Sequence, residues 1–301
     1  MSQSLGRRAV PVGAEGGLVA LYAYPHTGAT LLSRLLNSIP GVAVTPEMAH
    51  LLEPVRTTSW KAFREYYNRR FSPGIPVGAT VREIDEMLKR ERRLLFYRVW
   101  VPADNWRGDR MDHLERALEP VGRVFLHRNF LHVLGSLHSR GMLPPGRLSL
   151  LRRIGVHQAA PHIRLYRRLL DLQKRFEDSL SIRYRELVAD PRDVVSRILS
   201  SIGSEALEPG RELNLSGDGL GDVVTGDYKA MASSRVRAPT RYPEYLFTDD
   251  CIELARGKLG GQVDATPPDS CRSHAPMYAR LAVFLRGLRL LGRAAARRLR
   301  R

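Results

Sequence analysis

The stretch from Leu18 to Leu32 reads LVALYAYPHTGATLL and decides the fold. Its first seven residues are apolar or aromatic and end at Pro25, a pattern typical of a buried parallel strand. Small residues follow, and leucines at positions 31, 32, 35 and 36 predict a helix. Where a buried strand turns into a helix, the free backbone N–H groups of residues 27 to 31 can bind phosphate or sulfate. The stretch therefore predicts an α/β protein with an anion-binding loop.

The rest of the chain alternates between strand and helix patterns, which predicts a three-layer α/β sandwich with a central parallel sheet. Ligands bind such sheets at the carboxyl ends of the strands. The other predicted strands are Val42–Val44, Leu94–Val101, Val121–Leu126 and Leu180–Tyr184. The predicted helices after the first are two between 57 and 92 with a break at 72–78, then Met111–Leu118, Leu131–Arg140, 147–176 broken or kinked at Pro161, Asp193–Ile202, and one capped by Thr248 that ends at Leu259.

Composition limits the class of protein. With 301 residues and 43% hydrophobic side chains, the chain can bury the core of one large α/β domain. The net charge of +17 indicates an anionic partner, such as a nucleotide, a nucleic acid or an acidic membrane surface. The two cysteines and the lack of a Cys/His cluster indicate neither a disulfide framework nor a structural metal. With no signal peptide and no apolar run of about 18 residues, we expect a cytoplasmic protein.

The C-terminal segment 278–301 holds eight arginines and no acidic residue. Its apolar residues recur at helical spacing beside the arginines, which predicts an amphipathic helix in peripheral contact with an anionic membrane or an acidic partner. The alternative is a terminal helix that docks on its own domain. We therefore predict a flexible lead at 1–17, a domain at 18–265 and a basic extension at 266–301.

The loop Pro25-His26-Thr27-Gly28-Ala29-Thr30-Leu31 differs from a Walker A loop, because no lysine follows Gly28. It resembles the 5′-phosphosulfate loop of the sulfotransferases that use 3′-phosphoadenosine 5′-phosphosulfate (PAPS), of the Golgi and bacterial type. His26 stands where that family has Lys or Arg, Thr27 replaces Ser, and Ala29 replaces a hydroxyl residue. The resemblance implies that His26 acts on the bridging oxygen, either protonated or as a neutral N–H donor. The alternative is a turn histidine without a role.

A second motif reads Arg123-Val124-Phe125-Leu126-His127-Arg128-Asn129, with Ser136 eight residues after Arg128. It resembles the family's 3′-phosphate motif, in which an arginine ends a strand and a serine follows on the next helix. A guanidinium makes bidentate contacts with a phosphate, and a hydroxyl adds a donor. The alternative is an exposed arginine at an ordinary turn.

Two further segments resemble the family. Ile182 to Pro191 reads IRYRELVADP and is similar to its strand ending in Tyr-Glu-Asp-Leu, which implies that Tyr184 lies beside the adenine or its phosphate. The alternative is a tyrosine packed under the sheet. Arg235 and Arg237 lie where the family closes a basic loop over the 3′-phosphate, although a solvated charge cluster is an alternative for both.

A base must take the acceptor's proton near the first loop. Glu47 follows the second predicted strand, and in sulfotransferases of the Golgi and bacterial type a glutamate in this neighbourhood is the base. Residues 96–105 contain no histidine that could take this role instead. The alternative is that Glu47 complements a helix dipole.

The resemblance as a whole implies a sulfotransferase with a fold like that of the P-loop NTPases. The expected reaction is in-line transfer of the sulfuryl group from PAPS to an acceptor hydroxyl or amine, with 3′-phosphoadenosine 5′-phosphate (PAP) as product and without a metal. The acceptor is a small molecule, a glycan or a lipid, and its identity cannot be read from the sequence. The alternatives are a phosphotransferase with a P-loop-like fold and a basic nucleic-acid-binding protein, although no known nucleic-acid motif occurs.

Overall fold

A computed structural model describes residues 16–45, 58–100, 119–140, 142–143, 153–204, 213 and 246–260. The chain divides into two compact units, and the described part of the first comprises 16–45, 58–100, 119–127, 172–204 and 213. The strands are β1 (Gly17–Ala23), β2 (Val42–Val44), β3 (Leu94–Trp100), β4 (Gly122–His127) and β5 (Leu180–Arg183). The helices are α1 (Ala29–Asn37), α2 (Thr58–Arg70), α3 (Val81–Arg90), α4 (Phe130–Ser139), α5 (Val156–Lys174), α6 (Tyr184–Ala189), α7 (Pro191–Ser201) and α8 (Asp249–Leu259).

The first unit is built on a five-stranded sheet in the order β2-β3-β1-β4-β5. All four strand pairs are parallel, so the carboxyl ends of the strands share one edge. Ala23, the last residue of β1, is in register with Trp100 of β3 and with Leu126 of β4. The predicted α/β class with a central parallel sheet is confirmed.

Both faces of β1 are covered, because all seven of its residues are buried. On one face, Leu21 belongs to an apolar cluster that includes Leu32 of α1 and Val195 of α7. On the other face, the ring of Tyr22 stacks on Phe125 with 4.5 Å between centroids. Burial on both sides explains why the strand reads as a continuous apolar run and not as an alternating one.

In the second unit, the described residues are 128–140, 142–143, 153–171 and 246–260. Asn129 caps α4, because its side chain accepts hydrogen bonds from the backbone N–H groups of the second and third residues of the helix. Thr248 caps α8, as its sequence predicts, and its side chain accepts one hydrogen bond, from the backbone N–H of Cys251. Ile154 forms an isolated parallel bridge with Phe247, and the Arg153 guanidinium donates to the Phe247 carbonyl.

Two predicted boundaries need correction. For the helix predicted over 147–176, the sequence predicts a break or a kink at Pro161; the break is wrong, because Pro161 lies inside the continuous helix α5, and the kink stays a prediction. The proline removes one helical hydrogen bond, but Ala159, Ile163 and Tyr166 around it are buried, and their packing stabilises the helix. Tyr184 begins α6 and does not end β5. The helix predicted at Met111–Leu118 lies outside the described residues.

Candidate active site

The loop after β1 is held in an unusual backbone conformation. Both His26, with φ of 64°, and Gly28, with φ of 105°, have left-handed backbones. Thr27 between them is fully buried, and its hydroxyl donates to the Tyr24 carbonyl at 2.6 Å, while its amide donates to the same oxygen at 3.2 Å. The threonine therefore closes the turn from inside, and its amide, which the sequence predicts to bind the anion, is used in that turn instead. His26 is half-buried beside it.

The N-terminus of α1 has the features of an anion-binding site. Gly28 is the N-cap residue and has no side chain to cap the helix, and the first helical bond runs from the Leu32 amide to the Gly28 carbonyl at 3.1 Å. The amides of residues 29 to 31 precede that bond, so the helix itself provides no acceptor for them. The first turn also lacks an acidic side chain, and the positive end of the helix dipole favours a negative charge here.

Tyr184 lies directly against this loop. A Cβ atom added to Gly28 would lie 2.3 Å from Cδ2 and 2.6 Å from Cε2 of the tyrosine ring. The ring therefore occupies the space that any other residue at position 28 would need. The structure thus brings together the first and third predicted segments, which are separated by about 150 residues in the sequence.

Arg128 follows β4 directly and belongs to the second unit, where Tyr166 of α5 holds its backbone. The Arg128 amide donates to the Tyr166 hydroxyl at 3.0 Å, and that hydroxyl donates to the Arg128 carbonyl at 2.8 Å. Tyr166 is fully buried, and burial raises the pKa of its phenol well above the usual range. Ser136, the other predicted 3′-phosphate residue, is half-buried on α4.

Sequence reasoning missed Tyr166. It is an ordinary member of the buried stripe of α5, and its contact with Arg128 joins residues 38 positions apart. No local motif indicates such a contact. The only signal is that a buried tyrosine requires a partner for its hydroxyl.

Arg98 of β3 is a further cation in the first unit. It is in register with Leu21 of β1, and only 7% of it is exposed. Its amide donates to the Thr45 hydroxyl, which places the end of β2 beside β3. An arginine at this depth is not a solvated surface residue, since burial of an arginine is costly without polar compensation.

Other predicted residues cannot be located. Glu47, Arg235 and Arg237 lie outside the described residues, so their roles stay predictions. Within the described ranges, no group of three or more His, Cys, Asp or Glu side chains could hold a metal ion. A search of the same ranges finds no helix that is both long and apolar enough to cross a membrane.

Comparison with known proteins finds solved structures that are similar to this chain. The chain is similar to the sulfotransferase domain of the Synechococcus PCC 7002 olefin synthase, with 19% identity, a TM-score of 0.47, and coverage of 84% of this chain and 98% of that one. It is also similar to sulfotransferase STF1 from Mycobacterium tuberculosis H37Rv, with 14% identity, a TM-score of 0.40, and coverage of 82% and 77%. A comparison with curated protein sequences gives no significant match.

The family model described as "Sulfotransferase family" matches residues 19–209. This range is well over half of the chain and includes most of β1, all of β2 to β5, the loop after β1, Arg128, Ser136 and Tyr184. The chain belongs to the sulfotransferase family.

Proposed function

We propose that this sulfotransferase takes its sulfuryl group from PAPS and transfers it to a hydroxyl or amine of a small-molecule, glycan or lipid acceptor. The observation that carries the proposal is the uncapped N-terminus of α1 at the carboxyl end of the central strand β1. The amides of residues 29 to 31, which have no acceptor within the helix, would donate to the 5′-phosphosulfate. A site organised before the ligand arrives is the main source of catalysis in group transfer of this kind.

His26 is proposed to act on the bridging oxygen of the donor. A residue other than glycine with positive φ is uncommon, and such strain is found often at functional sites. The imidazole can donate a hydrogen bond either as the neutral ring or as the cation. This role would replace the permanent charge of the lysine or arginine that the resemblance leads us to expect.

The 3′-phosphate is proposed to bind Arg128 and Ser136. The two hydrogen bonds between the Tyr166 hydroxyl and the Arg128 backbone hold that backbone in place, so the Arg128 side chain extends from a defined position. A guanidinium and a hydroxyl together suit a dianionic phosphate. Arg235 and Arg237 are proposed as further contacts, and Tyr184 as a contact for the adenosine part.

The chemistry needs one base. When bound, PAPS supplies the sulfuryl group, and the bond between its sulfur and the bridging phosphate oxygen breaks as the acceptor oxygen or nitrogen bonds to sulfur in line. Glu47 is proposed to take the proton that the acceptor loses. The amides of residues 29 to 31 and His26 would bind the negative charge that develops on the leaving phosphate. Such a mechanism does not require a metal ion.

Calorimetric titration with PAP, 5′-AMP and ATP tests the proposal. We expect PAP to bind at micromolar concentrations and 5′-AMP to bind at least about tenfold more weakly, because it lacks the 3′-phosphate. Equal affinity for PAP and 5′-AMP would contradict the assignment of Arg128 and Ser136. Tight magnesium-dependent binding of ATP would support the phosphotransferase alternative.

A further partner is proposed for the C-terminal extension 266–301, which lies outside the described residues. We propose that it contacts an anionic membrane surface peripherally, because its segment 278–301 holds eight arginines and no acidic residue. Sedimentation with anionic and neutral vesicles, with and without residues 278–301, tests this. Equal sedimentation of both forms with anionic vesicles would exclude the role.

A further inference from the structure

We infer that Tyr184 is a positioning residue for the loop after β1, and that its ring holds the backbone at Gly28 so that the amides of α1 point toward the donor's 5′-phosphosulfate. The inference rests on the proposed function for the identity of the ligand. The contact on which it depends lies within the first unit and does not require a ligand. It differs from a contact between the tyrosine and adenine, because it acts through the loop.

The ring of Tyr184 and the backbone of Gly28 are in close contact. The nearest ring carbons lie 2.3 and 2.6 Å from the position of a Cβ on Gly28, and real Cβ atoms do not approach other heavy atoms so closely. The edge of the ring therefore packs against the glycine backbone itself. A smaller or differently shaped side chain at 184 would open a gap directly beside the N-cap of α1.

The loop needs support from outside. Thr27 holds the inner side of the turn through its two bonds to Tyr24, but those bonds do not act on Gly28. Glycine at φ of 105° has the least intrinsic preference for one conformation. An external contact on this residue is what selects one orientation of the amides that follow it.

Tyr184 is itself well anchored. It begins α6 immediately after β5 and packs against the apolar cluster of the first unit. Leu187, one turn later, is fully buried in that cluster, and Glu186 accepts a hydrogen bond from Arg197 of α7 at 2.8 Å. Because β5 precedes α6 and these contacts hold α6 in place, the ring of Tyr184 has a fixed position from which it can hold the loop.

The test compares Tyr184→Leu, Tyr184→Phe and Leu180→Ala with the wild type. Leu keeps apolar volume but removes the ring, whereas Phe keeps the ring and removes the hydroxyl. Leu180 packs against the same cluster from the opposite end of β5, so Leu180→Ala controls for general destabilisation. The first readout is hydrogen exchange at the amides of Thr27 and Leu32, and the second is calorimetric affinity for PAP and for adenosine 3′-phosphate.

We expect Tyr184→Leu to speed exchange at both amides and to weaken PAP binding by roughly tenfold or more, since a displaced site loses its aligned donors. Adenosine 3′-phosphate, which has no 5′-phosphate and can lose only its direct contact with the ring, should weaken by no more than about threefold. Tyr184→Phe should restore most of the lost PAP affinity, and Leu180→Ala should leave the loop amides unchanged.

Two results would overturn the inference. Unchanged exchange at Thr27 and Leu32 in Tyr184→Leu would show that the ring does not order the loop. Equal losses for PAP and adenosine 3′-phosphate would show that Tyr184 acts only on the adenosine part. If the wild type fails to prefer PAP over 5′-AMP, the proposed function fails, and the exchange measurement alone still decides the inference.

Discussion

At the scale of single residues, a methyl group added at Gly28 is unfavourable for two reasons, a steric clash and backbone strain. The new Cβ would clash with the Tyr184 ring, and φ of 105° is unfavourable for alanine. We expect Gly28→Ala to weaken PAP binding by roughly tenfold or more, measured by calorimetry, because the loop must move to relieve the clash.

Gly78 provides the matched control. It also has a left-handed backbone, with φ of 79°, but no heavy atom lies within 4 Å of its Cβ position. Gly78→Ala should lower the free energy of unfolding by about 1 kcal/mol through backbone strain and leave PAP affinity unchanged. If both variants lose affinity equally, the contact with Tyr184 is not the cause.

Arg128 carries the proposed recognition of the 3′-phosphate. Removal of its guanidinium in Arg128→Ala should weaken PAP binding by about tenfold, or about 1.4 kcal/mol, as expected for the loss of a charge-assisted pair. The affinity for 5′-AMP should not change. Arg167→Ala removes an equal charge from a surface pair on α5 and should have little effect on either ligand. Unchanged PAP affinity in Arg128→Ala would remove the residue from the site.

At the scale of elements, α5 holds the backbone of Arg128, which precedes α4, through one hydroxyl group. Tyr166→Phe removes both bonds to the Arg128 backbone, whose amide and carbonyl are part-buried. We expect the free energy of unfolding to fall by about 1 to 3 kcal/mol in chemical denaturation. PAP affinity should fall as well, because the backbone that carries the Arg128 side chain would be less well ordered.

Tyr97→Phe is the corresponding control. Tyr97 is buried in β3, and its hydroxyl makes no hydrogen bond with any residue in the described ranges. Its replacement by Phe should leave stability equal or increase it. A similar loss in both variants would mean that the hydroxyl of Tyr166 contributes no more than a generic buried tyrosine.

The sequence predicts the positions of most strands and helices, but not the strand order or the contacts between distant segments. Strands β1 to β4 are continuous apolar runs or follow clear turn residues, so local patterns place them within one or two residues. The strand order could not be read, because it depends on packing between segments far apart in the chain. Likewise, the motif after β1 predicts an anion loop, but no local pattern places Tyr184 on Gly28 or Tyr166 on Arg128. The break expected as one alternative at Pro161 does not occur, because burial around the proline outweighs its local penalty.

At the scale of the whole molecule, acid stability depends on a buried histidine. Burial lowers the pKa of His127 to about 4, and the nearby charge of Arg183 acts in the same direction, whereas an interaction with Gln173 opposes it. Between pH 6.5 and 4, the unfolded chain therefore binds a proton at this residue that the folded protein does not. The contribution of His127 to the free energy of unfolding therefore falls as the pH falls through this window.

His127→Gln isolates that contribution. Denaturant titrations at pH 7 and pH 4 should show a loss for the wild type that exceeds the loss for the variant by on the order of 3 kcal/mol. Other titrating groups cancel in the comparison, because both proteins contain them. Parallel pH profiles would mean that His127 is accessible to protons in the folded state.

The central place of β1 in the sheet has a practical consequence. Because β1 is bonded on both sides and buried on both faces, the loop that it carries cannot separate from the sheet without opening the core. A molecule that binds this loop must therefore oppose the cooperative melting of the sheet, by about 2.7 kcal/mol at a ligand concentration one hundred times Kd. Thermal-shift screening of nucleotide analogues should thus reveal donor-site ligands before any acceptor has been identified.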